Sequence, residues 1–247
     1  MTRVLALLLA LAASPWLGAT ERVVSLAPSL SEIMLELNAK ELLVGVLDGG
    51  ERPASLAAIP SVGRMGQLEM ESLLALQPTL VLLWPDSISR AQRDQLTQFG
   101  IPVLVVQPVS LEQLAEQFAR VGQRIGRSKQ GRELQRQFSL GLEQLRRRYH
   151  REQPLSVFYQ VWNRRNVFAD LQLPAPQVSV ESVLSRNPDV ILAGSGAQLS
   201  EWNAWPQLEA VRKGQLWEVP NKGLERPSFQ MLGAIRKLCE VMALAAD

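Results

Sequence analysis

Glu71-Ser72-Leu73-Leu74-Ala75-Leu76-Gln77-Pro78-Thr79-Leu80-Val81-Leu82 has a second copy later in the chain. It is Glu181-Ser182-Val183-Leu184-Ser185-Arg186-Asn187-Pro188-Asp189-Val190-Ile191-Leu192. Each copy describes a short helix, a proline that forbids its continuation, and then a buried strand. A single copy would carry no weight, because βα units share such patterns cheaply. Two copies with the same Glu-Ser opening and the same proline favour a duplicated half-molecule.

Outward from the copies, the chain alternates. Val23 to Leu26, Leu43 to Leu47, Leu80 to Trp84, Val103 to Val106, Val157 to Val161, Val190 to Ala193 and Leu216 to Val219 are apolar runs. Near-continuous runs of this kind suit parallel strands buried on both faces. Amphipathic stretches at Arg90 to Phe99 and Leu111 to Ile125 lie between them, and another closes the chain from Ser228 to Ala246. Ser29 or Ser31 is placed to cap a helix reaching Leu37. Strands alternating with such helices predict a βα-repeating architecture. Ser128 to Arg151 differs: it has no internal proline, and Leu134, Phe138, Leu142 and Leu145 recur at helical spacing. It reads as one long helix, weakened somewhat by Gly131 and Gly141.

The expected fold is therefore α/β, with two similar βα lobes bridged by one long α-helix. Residues 20–127 are the N-terminal lobe, 128–152 the linking helix and 153–247 the C-terminal lobe. Ligand sites form preferentially at such a boundary. A single stiff bridge predicts only modest lobe closure. Glu71 and Glu181 each open a short helix, where the dipole favours a carboxylate. As a matched pair they suit a two-fold symmetric partner that offers arginines.

Composition bounds the function. The chain has 247 residues, 47% of them apolar, and a formal net charge of +2. That is ordinary globular composition with no implied nucleic-acid partner. Arg146-Arg147-Arg148 sits late in the long helix, where cations complement the dipole. Arg3, the apolar run Val4 to Ala13 and the small pair Gly18-Ala19 have the layout of a secretory signal peptide over residues 1–19. The expected cut follows Ala19, with Ala13 as the alternative. The mature chain is thus expected in the periplasm, as a monomer. The sole cysteine, Cys239, reads either as a small buried residue or as a half-cystine without its partner.

Enzyme chemistry has little to work with. The sole histidine, His150, stands at the end of the long helix among Arg148, Tyr149 and Arg151. A Ser-His-Asp triad would have to use it, and a transition-metal site normally wants several His or Cys. No phosphate-cradling glycine motif occurs; Gly45-Val46-Leu47-Asp48-Gly49-Gly50 has the wrong spacing. No catalytic residue, metal site or cofactor is expected. Trp84 and Trp162 follow strands, and ligands of α/β sheets bind beyond strand carboxyl ends. Both are candidate ligand contacts, with core capping as the alternative. Trp202, Trp205 and Trp217 read as packing.

In order and spacing, several pieces resemble the periplasmic cobalamin-binding proteins of ABC importers, within the group that binds siderophores, haem and cobalamin. They are Arg22-Val23-Val24-Ser25-Leu26-Ala27-Pro28-Ser29, Glu69-Met70-Glu71 through Gln77-Pro78, Pro176-Gln177-Val178-Ser179 through Glu181, and Leu224-Glu225-Arg226-Pro227. The resemblance covers nearly the whole mature chain. It implies the helical-backbone periplasmic binding protein fold and capture of cobalamin or a related corrinoid as transported cargo. It implies ligand contacts at or near Ser29, Gly49, Met65, Trp84, Ala175 and Arg226. It also implies docking of Glu71 and Glu181 onto a permease dimer in the inner membrane. The family is commonly aromatic at the places of Gly49, Met65 and Ala175, and this chain is not. Members also carry a longer stretch between the positions of Trp162 and Asn166, with a cysteine that would partner Cys239. The C-terminal lobe is therefore expected to be shortened near residues 163–166. A haem or ferric-siderophore carrier is the alternative within the group. Arg226 is alternatively an ion-pair partner of Glu225 or another surface acid. An exported hydrolase or a periplasmic interaction protein is the alternative from outside the group.

Overall fold

The structure is a computed structural model and describes residues 20–50, 52–161, 164–166, 179–219 and 222–244. The expected leader, residues 1–19, lies outside them. Along the chain run β1 (Val23–Ser25), α1 (Pro28–Glu36), β2 (Leu43–Asp48), β3 (Ser61–Arg64), β4 (Gln67–Leu68), α2 (Met70–Ala75), β5 (Leu80–Leu83), α3 (Arg90–Gln98) and β6 (Val103–Val105). Then come α4 (Leu111–Arg124), α5 (Ser128–Arg148), β7 (Val157–Val161), β8 (Arg164–Asn166), α6 (Val180–Arg186), β9 (Val190–Ala193), α7 (Gly196–Ser200), α8 (Glu209–Arg212), β10 (Leu216–Glu218) and α9 (Met231–Leu244). The described residues divide into two compact units, 20–27 with 40–105 and 28–39 with 106–244.

In the first unit, six strands form one sheet in the order β4-β3-β2-β1-β5-β6. All neighbours are parallel except β3 and β4, which make an antiparallel hairpin. The apolar runs found in the sequence become its centre. Val24, Val81 and Leu83 are buried with Leu73 of α2 and Leu96 of α3. Burying each such side chain stabilises by ~1.5–3 kcal/mol. The hairpin is not visible in the sequence because its strands are too short to display a period. Gly63 makes it possible: its φ is +115°, and a Cβ there would stand 2.2 Å from the Gln67 carbonyl oxygen.

The second unit contains a four-stranded sheet, order β10-β9-β7-β8, in which only β7 and β8 are antiparallel. Alternation along β9 sends Ile191 and Ala193 to one face and Val190 and Leu192 to the other. The first pair packs with Phe158, Val183, Leu199 and Trp202. The second packs with Leu238 and Met242 of α9. Both faces are covered, which is why β9 is apolar throughout. Trp202 is packing, as expected: its ring meets Phe158 edge-on at 5.3 Å, and its Nε1 donates to Gln160 Oε1 at 2.8 Å.

The long helix exists and ends at Arg148, sooner than the sequence pattern reached. Its 21 residues span ~32 Å at ~1.5 Å per residue. It packs along α4 and against α9. Gly131 earns its place in α5 here: a Cβ on it would lie 2.6 Å from the Phe118 carbonyl oxygen, so only glycine lets the two helices approach this closely. Phe118, Phe138 and Phe229 form a triangle of rings, with centroids 5.4, 6.0 and 6.0 Å apart.

The likeness between the two copies extends beyond the matched sequences. Val23 of β1 is in register with Leu80 of β5, and Val157 of β7 with Val190 of β9. The residue before each first strand bonds the residue before each second strand in the same way. Thr79 N–H donates to the Arg22 carbonyl at 2.9 Å, and Asp189 N–H to the Ser156 carbonyl at 3.0 Å. In return Arg22 N–H donates to Thr79 Oγ1 and Ser156 N–H to Asp189 Oδ2, both at 2.8 Å. Ser89 and Ser195 then cap the next helix alike, accepting from Gln92 and Gln198 N–H. One expectation fails: α1 begins at Pro28, so Ser29 and Ser31 lie inside it and are buried rather than capping it. Proline at the first helical position needs no N–H partner, and this moves the start upstream.

Candidate functional site

Three of the expected ligand contacts occupy one edge of the first unit's sheet. Gly49 follows β2, Met65 follows β3 and Trp84 follows β5. All are at carboxyl ends of strands, where α/β sheets place ligands. The loops are bonded to one another. Met65 N–H donates to the Asp48 carbonyl at 2.8 Å, and Gly66 N–H to the Ser87 carbonyl at 3.1 Å. The Trp84 carbonyl in turn accepts from Ser87 N–H at 3.0 Å and Ser87 Oγ at 2.6 Å. Met65 is 46% exposed, and Trp84 is half-buried. An exposed methionine and a half-buried tryptophan on hydrogen-bonded loops offer polarizable apolar surface without an aromatic at every position.

Asp48 orders the Gly49 loop. Its carboxylate accepts from Ser61 Oγ at 2.6 Å and from Arg52 Nε at 2.9 Å, while Arg52 Nη1 reaches the Ile59 carbonyl at 2.7 Å. The Ser61 hydrogen bond, with Arg52 second among the favourable causes, holds the Asp48 carboxyl below its usual range.

Ser29 and Arg226 belong to the second unit. Ser29 is buried in the first turn of α1. Arg226 is ion-paired, and its partner is Glu32 rather than Glu225 or another surface acid. Nη1 lies 2.9 Å from Glu32 Oε1, and the Glu32 side chain is 3% exposed. Glu225 faces the Tyr159 hydroxyl instead; burial first, and then this carboxylate, push the phenol upward. One turn beyond Glu32, Glu36 accepts N–H bonds from Phe229 at 2.9 Å and Gln230 at 3.3 Å. These bonds cap the approach to α9. Burial raises the Glu36 carboxyl to about 7, against the lowering effect of the two N–H donors. Sequence reasoning missed Glu32 and Glu36. Their signal was two acids at helical spacing among Leu30, Ile33, Met34 and Leu37, a stripe otherwise wholly apolar.

Glu71 and Glu181 are both exposed in the first turn of their matched helices, α2 and α6. A hydrogen bond from Ser179 lowers the Glu181 carboxyl. At the matched place in the first unit Glu69 stands where Ser179 does, and Ser72 Oγ donates to it at 3.0 Å. Trp162 and Ala175 lie outside the described residues. His150 is exposed just past α5, as the sequence suggested. Among the described residues no group of three or more His, Cys, Asp or Glu is arranged to hold a metal ion. No helix among them is long and apolar enough to cross a membrane.

Known proteins with this chain's pattern are binding proteins. A vitamin B12-binding protein of Vibrio campbellii is 27% identical over 246 residues, covering 90% of this chain and 90% of its own. One from Yersinia pestis is 30% identical over 250 residues, covering 91% of this chain and 87% of its own. The crystal structure of the periplasmic vitamin B12 binding protein BtuF of Vibrio cholerae matches with a TM-score of 0.82 and 27% identity, over 91% of this chain and 97% of that one. A periplasmic heme-binding protein from Roseiflexus, at 22% identity and TM-score 0.74, shares the fold. The periplasmic binding protein family matches residues 23–167. That match takes in most of the 247 residues, including β1, the stitched strand-end loops and the long helix. The chain belongs to the periplasmic binding protein family, whose members are substrate-binding proteins rather than enzymes.

Proposed function

We propose that this chain is the periplasmic substrate-binding component of an ABC importer, capturing cobalamin or a related corrinoid and delivering it to an inner-membrane permease. The observation that carries this reading is the stitched carboxyl edge of the first sheet. It ties the loop of Met65 to the loop of Trp84 by a backbone hydrogen bond, in a chain similar over about nine-tenths of its length to vitamin B12-binding proteins. The cargo is held non-covalently, and no resident cofactor is involved. Gly49, Met65, Trp84, Ser29 and Arg226 are the proposed contacts, with Trp162 and Ala175 completing the set. Glu71 and Glu181 are the proposed docking points for permease arginines, in charge-assisted pairs. The proposed division is 20–127 and 153–247 as alike lobes, with 128–152 linking them. Residues 1–19 are the proposed export leader, and the working form is a monomer.

Titration with cyanocobalamin, followed by tryptophan fluorescence, tests the cargo. Saturable quenching is expected, weakened about tenfold by W84A, the scale of one lost aromatic contact. No quenching by cyanocobalamin, together with saturable quenching by haem, would replace cobalamin with haem as the cargo. The double variant E71A/E181A should keep cobalamin affinity but lose uptake in proteoliposomes holding the permease; retained uptake would remove the docking assignment.

A further inference from the structure

The second unit contains a cavity that the proposed cargo site does not use. Its volume is about 420 Å³, within the ~300–1,000 Å³ range of small-molecule sites. Its walls come from the end of α5, the start of β7 and one face of α9. Leu155 and Val157 lie at the amino end of β7, so the cavity does not occupy the carboxyl edge where the family's fold takes cargo.

The walls divide by chemistry. Leu155, Val157, Leu238 and Met242 make an apolar floor continuous with the buried pair Val190 and Leu192. Arg148, His150 and Arg151 make a basic rim. Among the described residues no carboxylate lies within ion-pair distance of any of the three. Arg148 rests over the Tyr149 ring at 5.3 Å, and Arg151 Nη2 is tied to the Met242 carbonyl at 2.7 Å. Both are held in place with guanidinium donors to spare. Neighbouring Arg146 and Arg147 are, by contrast, each paired with a glutamate.

We infer that this cavity binds a small amphipathic anion, a medium-chain fatty acid carboxylate, with its head on the Arg148–Arg151 rim and its chain on the Leu155–Met242 floor. A neutral apolar molecule would leave the cations unanswered. A small hydrophilic anion would leave the floor wet. Only a ligand with both parts matches both walls.

Cys239 lines the same cavity and is the chain's sole cysteine, so its alkylation reports on this place alone. Iodoacetamide labelling of the full chain would be followed by mass at alkaline pH, because burial and Glu240 raise the thiol. Decanoate below its micellar concentration is expected to slow labelling saturably. Decanol and acetate at equal concentration are expected to leave the rate unchanged. R148Q should weaken decanoate protection about tenfold, the worth of one charge-assisted hydrogen bond. Equal protection by decanol would overturn the anion assignment, and so would unchanged protection in R148Q. No protection by decanoate would overturn the site. Protection by anionic phosphatidylglycerol vesicles but not by free decanoate would also overturn it, making the rim a membrane contact. Cobalamin binding is measured separately, so failure of either reading is distinguishable.

Discussion

Gln77 and Asn187 share a left-handed backbone conformation, with φ of 46° and 42°, and proline follows both. Each follows the short helix that carries Glu71 or Glu181 in its first turn, and each turns the chain into a buried strand. Residues with a side chain pay ~1–2 kcal/mol for this conformation, while asparagine tolerates it better. Gln77 is exposed, whereas Asn187 Oδ1 accepts the Glu209 N–H at 2.8 Å. Q77G should therefore raise stability by about 0.5 kcal/mol, after part of the relief is returned through the unfolded chain. N187G should lower it by about 1 kcal/mol through loss of the cap. Urea midpoints decide this; equal shifts in both variants would remove the distinction.

Glu36 gives stability a defined pH dependence. Its carboxyl is raised from 4.5 to about 7, so between those values the folded chain binds a proton that the unfolded chain does not. The contribution is complete below the unfolded value and is lost as pH rises through the folded one. At ~1.4 kcal/mol per unit, the loss is about 3 kcal/mol. E36Q keeps an oxygen for the Phe229 and Gln230 N–H groups and cannot ionise. Its stability relative to the parent should rise by this amount between acid and mildly alkaline pH. Parallel denaturation curves across that range would show that the group is not perturbed.

Arg226 holds a buried acid. Removing it leaves the Glu32 carboxyl, 3% exposed, without its ion-pair partner and with one oxygen, Oε2, already lacking a hydrogen bond. R226Q should cost about 3 kcal/mol, the low end for a broken buried pair, because the arginine itself is partly exposed. E32Q/R226Q should recover most of that loss. Cobalamin titration of the double variant then separates a ligand contact from a structural pair. Unchanged affinity would assign Arg226 to structure alone.

Gly131 is tested by the smallest possible addition. G131A places a methyl 2.6 Å from the Phe118 carbonyl oxygen, a backbone atom that cannot swing away. The gain of ~1 kcal/mol in helix propensity is outweighed by overpacking of ~1–3 kcal/mol. A net melting decrease of about 2–6 °C is expected for a chain of this size. A rise in melting temperature would show that α4 and α5 separate without cost.

Much of this was legible in the sequence. Strands β1, β2, β5 and β9 announced themselves because they are buried along nearly their whole length and hence largely apolar. The repeat was legible because its proline and glutamate are fixed by local chain geometry. The β3–β4 hairpin was not, since two strands so short carry no periodicity. Glu32 and Glu36 were missed because their partners, Arg226 and Phe229, are almost two hundred positions away, and no local pattern records a contact of that separation. The start of α1 was misplaced because serine is the commoner opening signal, while Pro28 supplied a stronger one.

The hydrogen bonds from Met65 to Asp48 and from Gly66 to Ser87 run through backbone atoms. The three loops therefore form a single inherited block. Retargeting this scaffold by exchanging one loop would leave main-chain donors or carbonyls on its neighbours unanswered. Transplants that carry residues 48–50, 64–66 and 84–87 together preserve those bonds and leave the side chains free to diverge.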